Sequence, residues 1–257
     1  MKDDQWLVIG TDQRMVTCCT MLVERGYNCQ HVATNQYTDQ LGECIERLSP
    51  KHIVFPVLQM AGTIPPALLV EGTRLYTGVA SEEWLKPFKD AGLDTYSYVK
   101  EESFIWQNAR LTAEAFIYEY YARVKRQLAG NFFRVAGFGK VGKMTAHTLA
   151  ALGADVTVVA RSVTQRSEAA ALGYQTEQLT ADFDMTEGNL VNTIPAKWLT
   201  ARSTPGLHIF DLASAPGCLK EPLSPEYYTV LLGLPGKHFP IDAAAVLTDT
   251  VEGMSRK

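Results

Sequence analysis

Short apolar runs alternate along this chain with stretches in which apolar residues recur every three or four positions. Trp6-Leu7-Val8-Ile9 reads as a buried strand that stops at Gly10. Asp12 to Glu24 follows a helical period, with Met15, Cys18, Cys19, Leu22 and Val23 apolar and Gly26 as a stop. The same alternation predicts a strand over Tyr27–Ala33, part of a helix over Leu41–Leu48, and a strand at His52–Phe55. A further strand is expected at Arg74–Thr77, with a short helix over Glu82–Ala91. Strands alternating with helices imply a parallel sheet covered on both faces.

The period changes at Ser103. From there to Ala129 the residues Ala109, Ala113, Phe116, Ile117, Tyr120, Val124 and Leu128 form one stripe, predicting a long helix closed by Gly130-Asn131. Strand and helix patterns then resume. Strands are expected at Phe132–Ala136, Ala154–Ala160, Tyr174–Thr176, Asn189–Val191, Leu207–Phe210 and Tyr228–Leu232. A helix is expected to open from the glycine turn after the first of these, with Val141, Met144, Ala146, Leu149 and Leu152 on its apolar side and Gly153 as a stop. Further helices are expected over Thr164–Leu172 and Ile241–Met254. The fold class is therefore α/β: two doubly wound, Rossmann-like domains joined by a long helix, the second with strand order 3-2-1-4-5-6. The expected division is a substrate-side domain at 1–102, the interdomain helix at 103–129 and a coenzyme domain at 130–238. The terminal helix at 239–257 would pack back on the first domain, and the coenzyme is expected in the cleft between the two domains.

Between the Phe132–Ala136 strand and its helix lies Gly137-Phe138-Gly139-Lys140-Val141-Gly142. In a Gly-x-Gly-x-x-Gly turn the first glycine makes the tight bend and the second lets the backbone approach a pyrophosphate. The third lets the helix pack close to the strand. The exposed amides and dipole of the helix N-terminus attract phosphate. The next strand ends in Arg161-Ser162, about 24 residues past the first glycine, with Arg166 following. An acid there would bind a ribose 2′-hydroxyl, whereas a guanidinium beside a hydroxyl suits a 2′-phosphate, so NADP is the expected coenzyme.

With 46% hydrophobic and 20% charged residues among 257, the composition is that of an ordinary globular protein. A net charge of -4 argues against a nucleic-acid partner. No apolar run reaches the roughly 18–20 residues of a membrane span, and Met1-Lys2-Asp3-Asp4-Gln5 is unlike a leader, so a cytoplasmic protein is expected. Five cysteines without a Cys-x-x-Cys pair, and scattered histidines, predict reduced thiols and no metal site.

The first half has no glycine-rich loop, but its Gly10-Thr11-Asp12-Gln13-Arg14 turn lies at the carboxyl end of a strand, where open α/β sheets bind ligands. Asp12 has two readings there, a helix N-cap or a ligand-facing acid. Arg14 is either a solvated charge or the group that holds a substrate carboxylate. Asp12 and His238, both on loops expected to face the cleft, are the candidates for a catalytic base, and each also has a structural reading.

The glycine loop, Asn192-Thr193-Ile194-Pro195, Asp211-Leu212-Ala213-Ser214 and Gly233-Leu234-Pro235-Gly236 together resemble the A-type chains of dipicolinate synthase. The Gly10-x-Asp12-x-Arg14 turn and the group Asn108, Thr112, Ala113 and Glu114 resemble that family too. The resemblance covers nearly the whole chain and is densest after Gly130. It implies an N-terminal substrate-side domain and an NADP-binding domain using Gly137 to Gly142, Asn192 to Pro195, Leu212, Ala213, Leu234 and Pro235, beside the Arg161, Ser162 and Arg166 expected from their place after the second strand. It also implies a flavoprotein partner, the B-type chain of the synthase, and a role in making dipicolinic acid from a cyclic lysine-pathway intermediate in endospore-forming bacteria. The dicarboxylate ring is expected to meet Thr11, Asp12, Arg14, Asn108, Arg110, Thr112 and Lys237. Departures fall on the substrate side: Thr77-Gly78-Val79-Ala80 stands for a Ser-Gly-x-Ser-like segment, and Ala115 and Cys218 stand for glycines. Two other functions remain open, a 2-hydroxyacid-dehydrogenase-like oxidoreductase and a non-catalytic NADP-binding subunit. Homo-oligomer formation is also left open.

Overall fold

The alternating pattern resolves into two parallel sheets in a computed structural model that describes residues 4–256. The first part of the chain contains β1 (Gln5–Ile9), α1 (Gln13–Glu24), β2 (Asn28–Val32), α2 (Asp39–Leu48), β3 (His52–Val54), β4 (Arg74–Thr77), α3 (Glu82–Asp90) and β5 (Asp94–Ser97). The long helix α4 (Glu102–Val124) leads to β6 (Phe132–Ala136), α5 (Lys140–Ala151), β7 (Asp155–Ala160), α6 (Val163–Ala171) and β8 (Gln175–Gln178). There follow β9 (Asp184–Met185), β10 (Gly188–Asn192), β11 (Thr200–Ala201), β12 (Leu207–Asp211), β13 (Tyr228–Val230), α7 (Leu234–His238) and α8 (Pro240–Ser255). The chain divides into two compact units, one of residues 1–108 and 235–257, the other of residues 109–234.

In the first unit the sheet order is β2-β1-β3-β4-β5, all parallel. Successive side chains of a strand point to opposite faces, and β1 shows the consequence. Trp6 and Val8 join Met15, Cys18, Leu22, Ala244, Leu247 and Val251 under α1 and α8. Leu7 and Ile9 join Leu41, Ile45, Trp84 and Phe88 under α2 and α3. Outside the apolar contact, Arg25 bridges Asp249 (2.6 Å) and Glu252 (2.7 Å), and the Tyr27 hydroxyl donates to Glu252 (2.8 Å). These bonds clamp α8 to α1.

The second unit carries a six-stranded parallel sheet in the order β13-β12-β10-β6-β7-β8, which is 3-2-1-4-5-6 when its strands are renumbered from β6. One face buries Ala136, Val159, Leu190, Leu207 and Ile209 with Leu179, Phe183, Leu199 and Cys218. On the sheet, Phe133 and Phe210 meet Tyr120 and Phe116 of α4, with ring centroids 5.2 and 5.4 Å apart. Among the described residues no helix is long and apolar enough to cross a membrane.

Several sequence expectations are corrected. The long helix ends at Val124 and not at Ala129, because Lys125 adopts a left-handed φ of 55°; Leu128 is still buried, but from a loop. The helix that the glycine turn opens into begins at Lys140, so the third glycine lies inside it. Leu234 to His238 form a short helix, where His238 was expected on a loop. The edge strand β5 and the small β9–β11 pair were not expected. Strand β8 covers Gln175–Gln178, one step beyond the expected Tyr174–Thr176, and β13 stops at Val230.

Candidate coenzyme site

The three glycines of the β6–α5 turn have different surroundings. Gly137 bends at φ 89°, and a Cβ there would stand 2.7 Å from Thr193 Oγ1 and 2.9 Å from Ile194 Cγ1. A Cβ on Gly142 would run into the Gly137 carbonyl, so the first turn of α5 can rest on the bend only without a side chain. Gly139 is different, since a Cβ there would meet nothing within 4 Å. It is also the N-cap of α5, and no side chain caps that end. The first amides of a helix lack intrahelical partners, and the approach to this helix end past Gly139 is open. Phe138 is buried, edge-on to Tyr174 (6.0 Å) and beneath Lys143, which pairs with Glu168 at 2.6 Å.

A cavity of about 340 Å³ opens at this point. The turn contributes Gly137, Phe138 and Gly139, and the end of β10 contributes Thr193, Ile194 and Pro195. From the end of β7 and the start of α6 come Arg161, Ser162 and Gln165. Thr193 is fixed because its amide and hydroxyl both donate to the Ala136 carbonyl, at 2.9 and 2.8 Å. Ser162 caps α6 by accepting from the Gln165 amide (3.4 Å). Arg161 is exposed at the lip. The cavity therefore combines uncapped helix amides, a glycine without steric neighbours and one guanidinium about where the adenosine ribose of a dinucleotide would lie. These groups fit a dinucleotide, and the exposed cation fits one with a 2′-phosphate.

Other residues expected at this site have different surroundings. Asn192 is fully buried. Its Nδ2 donates to Asp211 (2.7 Å) and the Ile194 carbonyl (3.0 Å), and its Oδ1 accepts from the Ile194 amide and Trp198 Nε1. Asp211, also buried, accepts from the amides of Ala213 (3.0 Å) and Cys218 (2.7 Å) and from the Tyr228 hydroxyl (2.6 Å). Burial, reinforced by the Asp211 charge, raises both the Tyr228 hydroxyl and the Cys218 thiol above their ordinary ranges, so both stay protonated. This network ties the ends of β10 and β12 to the start of β13. Leu212, Ala213, Leu234 and Pro235 do not line the cavity; Ala213, Leu234 and Pro235 are buried. Lys140 and Val141 open α5 beside the cavity without lining it. Arg166 turns away from the cavity and donates to the carbonyls of Ala160 and Arg161, both at 2.7 Å. Gln165 has no charge or motif to announce it, and only the first turn of α6 brings it to the site.

In the first unit, Asp12 caps α1 by accepting from the Arg14 amide (2.9 Å) and also grips the Arg14 guanidinium through Nε (3.0 Å) and Nη2 (2.5 Å). Burial alone would raise the Asp12 carboxyl, but the bonds and charge of Arg14 outweigh it and hold the group below the ordinary range. Gly236 lies directly over the guanidinium, where a Cβ would come within 2.5 Å of Arg14 Nε. Thr11 bonds instead to Asn35, its amide donating to Oδ1 (3.2 Å) and its hydroxyl accepting from Nδ2 (2.5 Å). Lys237 and His238 lie on α7, and Asn108, Arg110 and Thr112 on α4, where Arg110 pairs with Glu114 at 3.2 Å. Asn108, Lys237 and His238 belong to the first unit, and Arg110 and Thr112 to the second. Among the described residues no three His, Cys, Asp or Glu side chains cluster as metal ligands would.

No protein-family model matches the chain, and no curated protein matches it in sequence. Solved structures do match. The A chain of dipicolinate synthase from Bacillus subtilis superposes with a TM-score of 0.78 at 20% identity, over 100% of this chain and 97% of that one. The corresponding dipicolinate synthase chain from Bacillus halodurans gives 0.76 at 19% identity, over 99% and 98%. The fold is that of the dipicolinate synthase A chains. A transhydrogenase from Sinorhizobium meliloti follows with 0.65 at 15% identity, over 98% and 92%.

Proposed function

We propose that this chain is an NADP-dependent oxidoreductase component of the dipicolinate synthase A type, acting with a flavoprotein partner on a dihydrodipicolinate-type ring from the lysine pathway. The observation that carries the coenzyme reading is the contrast within the glycine turn. Gly137 and Gly142 are glycines because protein atoms crowd them, while Gly139 faces open space beside uncapped amides. The fold and the resembling motifs support the substrate class. NADP, when bound, supplies the hydride acceptor. The chain's own contribution is to seat the pyrophosphate on the α5 N-terminus, to meet the 2′-phosphate with Arg161 and Ser162, and to fix the floor of the site through Thr193.

Arg161 gives the sharpest test. Against a 2′-phosphate its guanidinium forms short, charge-assisted bonds, whereas against a bare hydroxyl it gains little. NADPH should bind at least about tenfold more tightly than NADH, roughly 1.4 kcal/mol. Arg161→Ala should reduce NADPH affinity far more than NADH affinity. Calorimetric titration of both coenzymes against both proteins reads this directly, and equal wild-type affinities would defeat it.

A second reading, a coenzyme-binding subunit without turnover of its own, is favoured by the pairing of Asp12 with Arg14. The acid and the cation at the end of β1 already satisfy each other. Steady-state assays on dihydro- and tetrahydrodipicolinate, with and without the flavoprotein, separate the two. Turnover that appears only with the partner supports the first reading. Coenzyme binding without turnover in either assay supports the second.

A further inference from the structure

We propose that Arg166 is a positioning residue for coenzyme choice: by tying down the carbonyls of Ala160 and Arg161 it holds the Arg161 guanidinium at the lip of the cavity. This rests on the NADP reading above and assigns a residue that does not itself face the cavity.

A side chain at the end of a strand projects from backbone that has left the sheet. Strand β7 pairs regularly through Ala160, and its ladder stops there. Arg161 is the next residue, exposed and outside both β7 and α6. Left to itself, such a residue has a mobile peptide group, and a long arginine side chain on it samples many positions. Two features restrain that backbone. Ser162 caps α6 from one side, and Arg166, in the first turns of α6, reaches back from the other. Its Nη1 donates at 2.7 Å to the last carbonyl of the strand and at 2.7 Å to the carbonyl of Arg161 itself. The Ala160 carbonyl also accepts from the Leu179 amide (3.2 Å), so the anchor is tied to the chain beyond β8 as well. Charge-assisted bonds of this length are among the stronger ones in a protein. A guanidinium on backbone held in this way meets a phosphate without first losing backbone freedom.

The test is a double-mutant cycle read as the ratio of NADPH to NADH affinity, with circular dichroism and thermal melting confirming that each variant folds. Arg166→Met should lower that ratio at least about fivefold while NADH affinity stays within about twofold. In an Arg161→Ala background the same substitution should change the ratio by less than about twofold, since there is no guanidinium left to position. Arg166→Lys keeps the charge but not the guanidinium geometry, and should restore part of the ratio; if Arg166→Met does not fold, a ratio lowered by Arg166→Lys carries the test. An unchanged ratio in Arg166→Met, or in Arg166→Lys where that variant stands in, would show that the carbonyl bonds only support the turn, overturning the proposal. Equal losses in both backgrounds would place Arg166 on the phosphate itself, overturning it as well. Equal wild-type affinities would defeat the coenzyme reading and this proposal with it, before any Arg166 variant is made.

Discussion

The chain passes from an inner strand into a helix in comparable fashion twice, at Gly10 to Gln13 after β1 and at Gly137 to Lys140 after β6. In both places a glycine with positive φ leaves the strand, at 144° and 89°. The two turns then diverge. After β1 the space above the glycine is taken by Met15, and Asp12 caps the helix while gripping Arg14. After β6 the cap position is Gly139, which has neither a capping side chain nor a neighbour. The first turn is completed by its own residues, and the second is left without a capping side chain. Topology makes both turns eligible for binding, and side-chain chemistry decides which one remains open.

Three substitutions sharpen that comparison. The largest effect is expected from Gly142→Ala, whose methyl collides with backbone and cannot be relieved by a rotamer change. It should cost about 2–3 kcal/mol of stability, visible in chemical denaturation, and should abolish measurable dinucleotide binding. A variant of wild-type stability would break the close-approach account of this glycine. Asp12→Ala comes next. It removes an N-cap, worth about 1 kcal/mol, and leaves the buried Arg14 guanidinium unpaired, so a total near 2 kcal/mol is expected, with coenzyme affinity unchanged. The same pair predicts a pH signature. The Asp12 carboxyl is depressed in the folded state, so its contribution is present above the ordinary value of 3.8 and is lost as pH falls through the lower folded value. The stability gap between wild type and Asp12→Asn should therefore close on acidification below 3.8; a gap that widens would refute the pairing. Gly139→Ala should have the smallest effect on stability, no more than about 1 kcal/mol. It should still weaken dinucleotide binding at least about tenfold, because its methyl would stand where the ligand approaches. Unchanged affinity in isothermal titration would move the ligand elsewhere.

The β6–turn–α5 unit was legible in the sequence because three glycines at that spacing, between an apolar strand and an amphipathic helix, have few other mechanical solutions. Strand β5 was not, since Asp94-Thr95-Tyr96-Ser97 is a polar edge strand without a buried apolar face to set a period. The end of α4 was hidden for a related reason. Leu128 continues the apolar stripe, while the left-handed Lys125 that stops the helix has no signature in its residue type. At the ends of β10 and β12 the difficulty is one of direction. A polar residue leaving a strand can face a ligand or its own fold, and Asn192 and Asp211 direct their polar atoms at partners far away in sequence. Gln165 offers a neutral side chain, so only the geometry of α6 brings it into view.

The return of the chain to the first unit at Pro235 has a consequence for synthesis. Helix α8 supplies Ala244, Leu247, Val251 and Met254 to the core beneath α1, yet it is translated after residues 109–234. At about 5–20 residues per second, that interval lasts on the order of ten seconds. Throughout it Trp6, Met15, Cys18 and Leu22 lack the helix that covers them, and by its end the later unit has its whole sequence. The first unit to be translated is thus the last to be completed, and a nascent chain stalled before residue 240 exposes an apolar face that chaperones recognise.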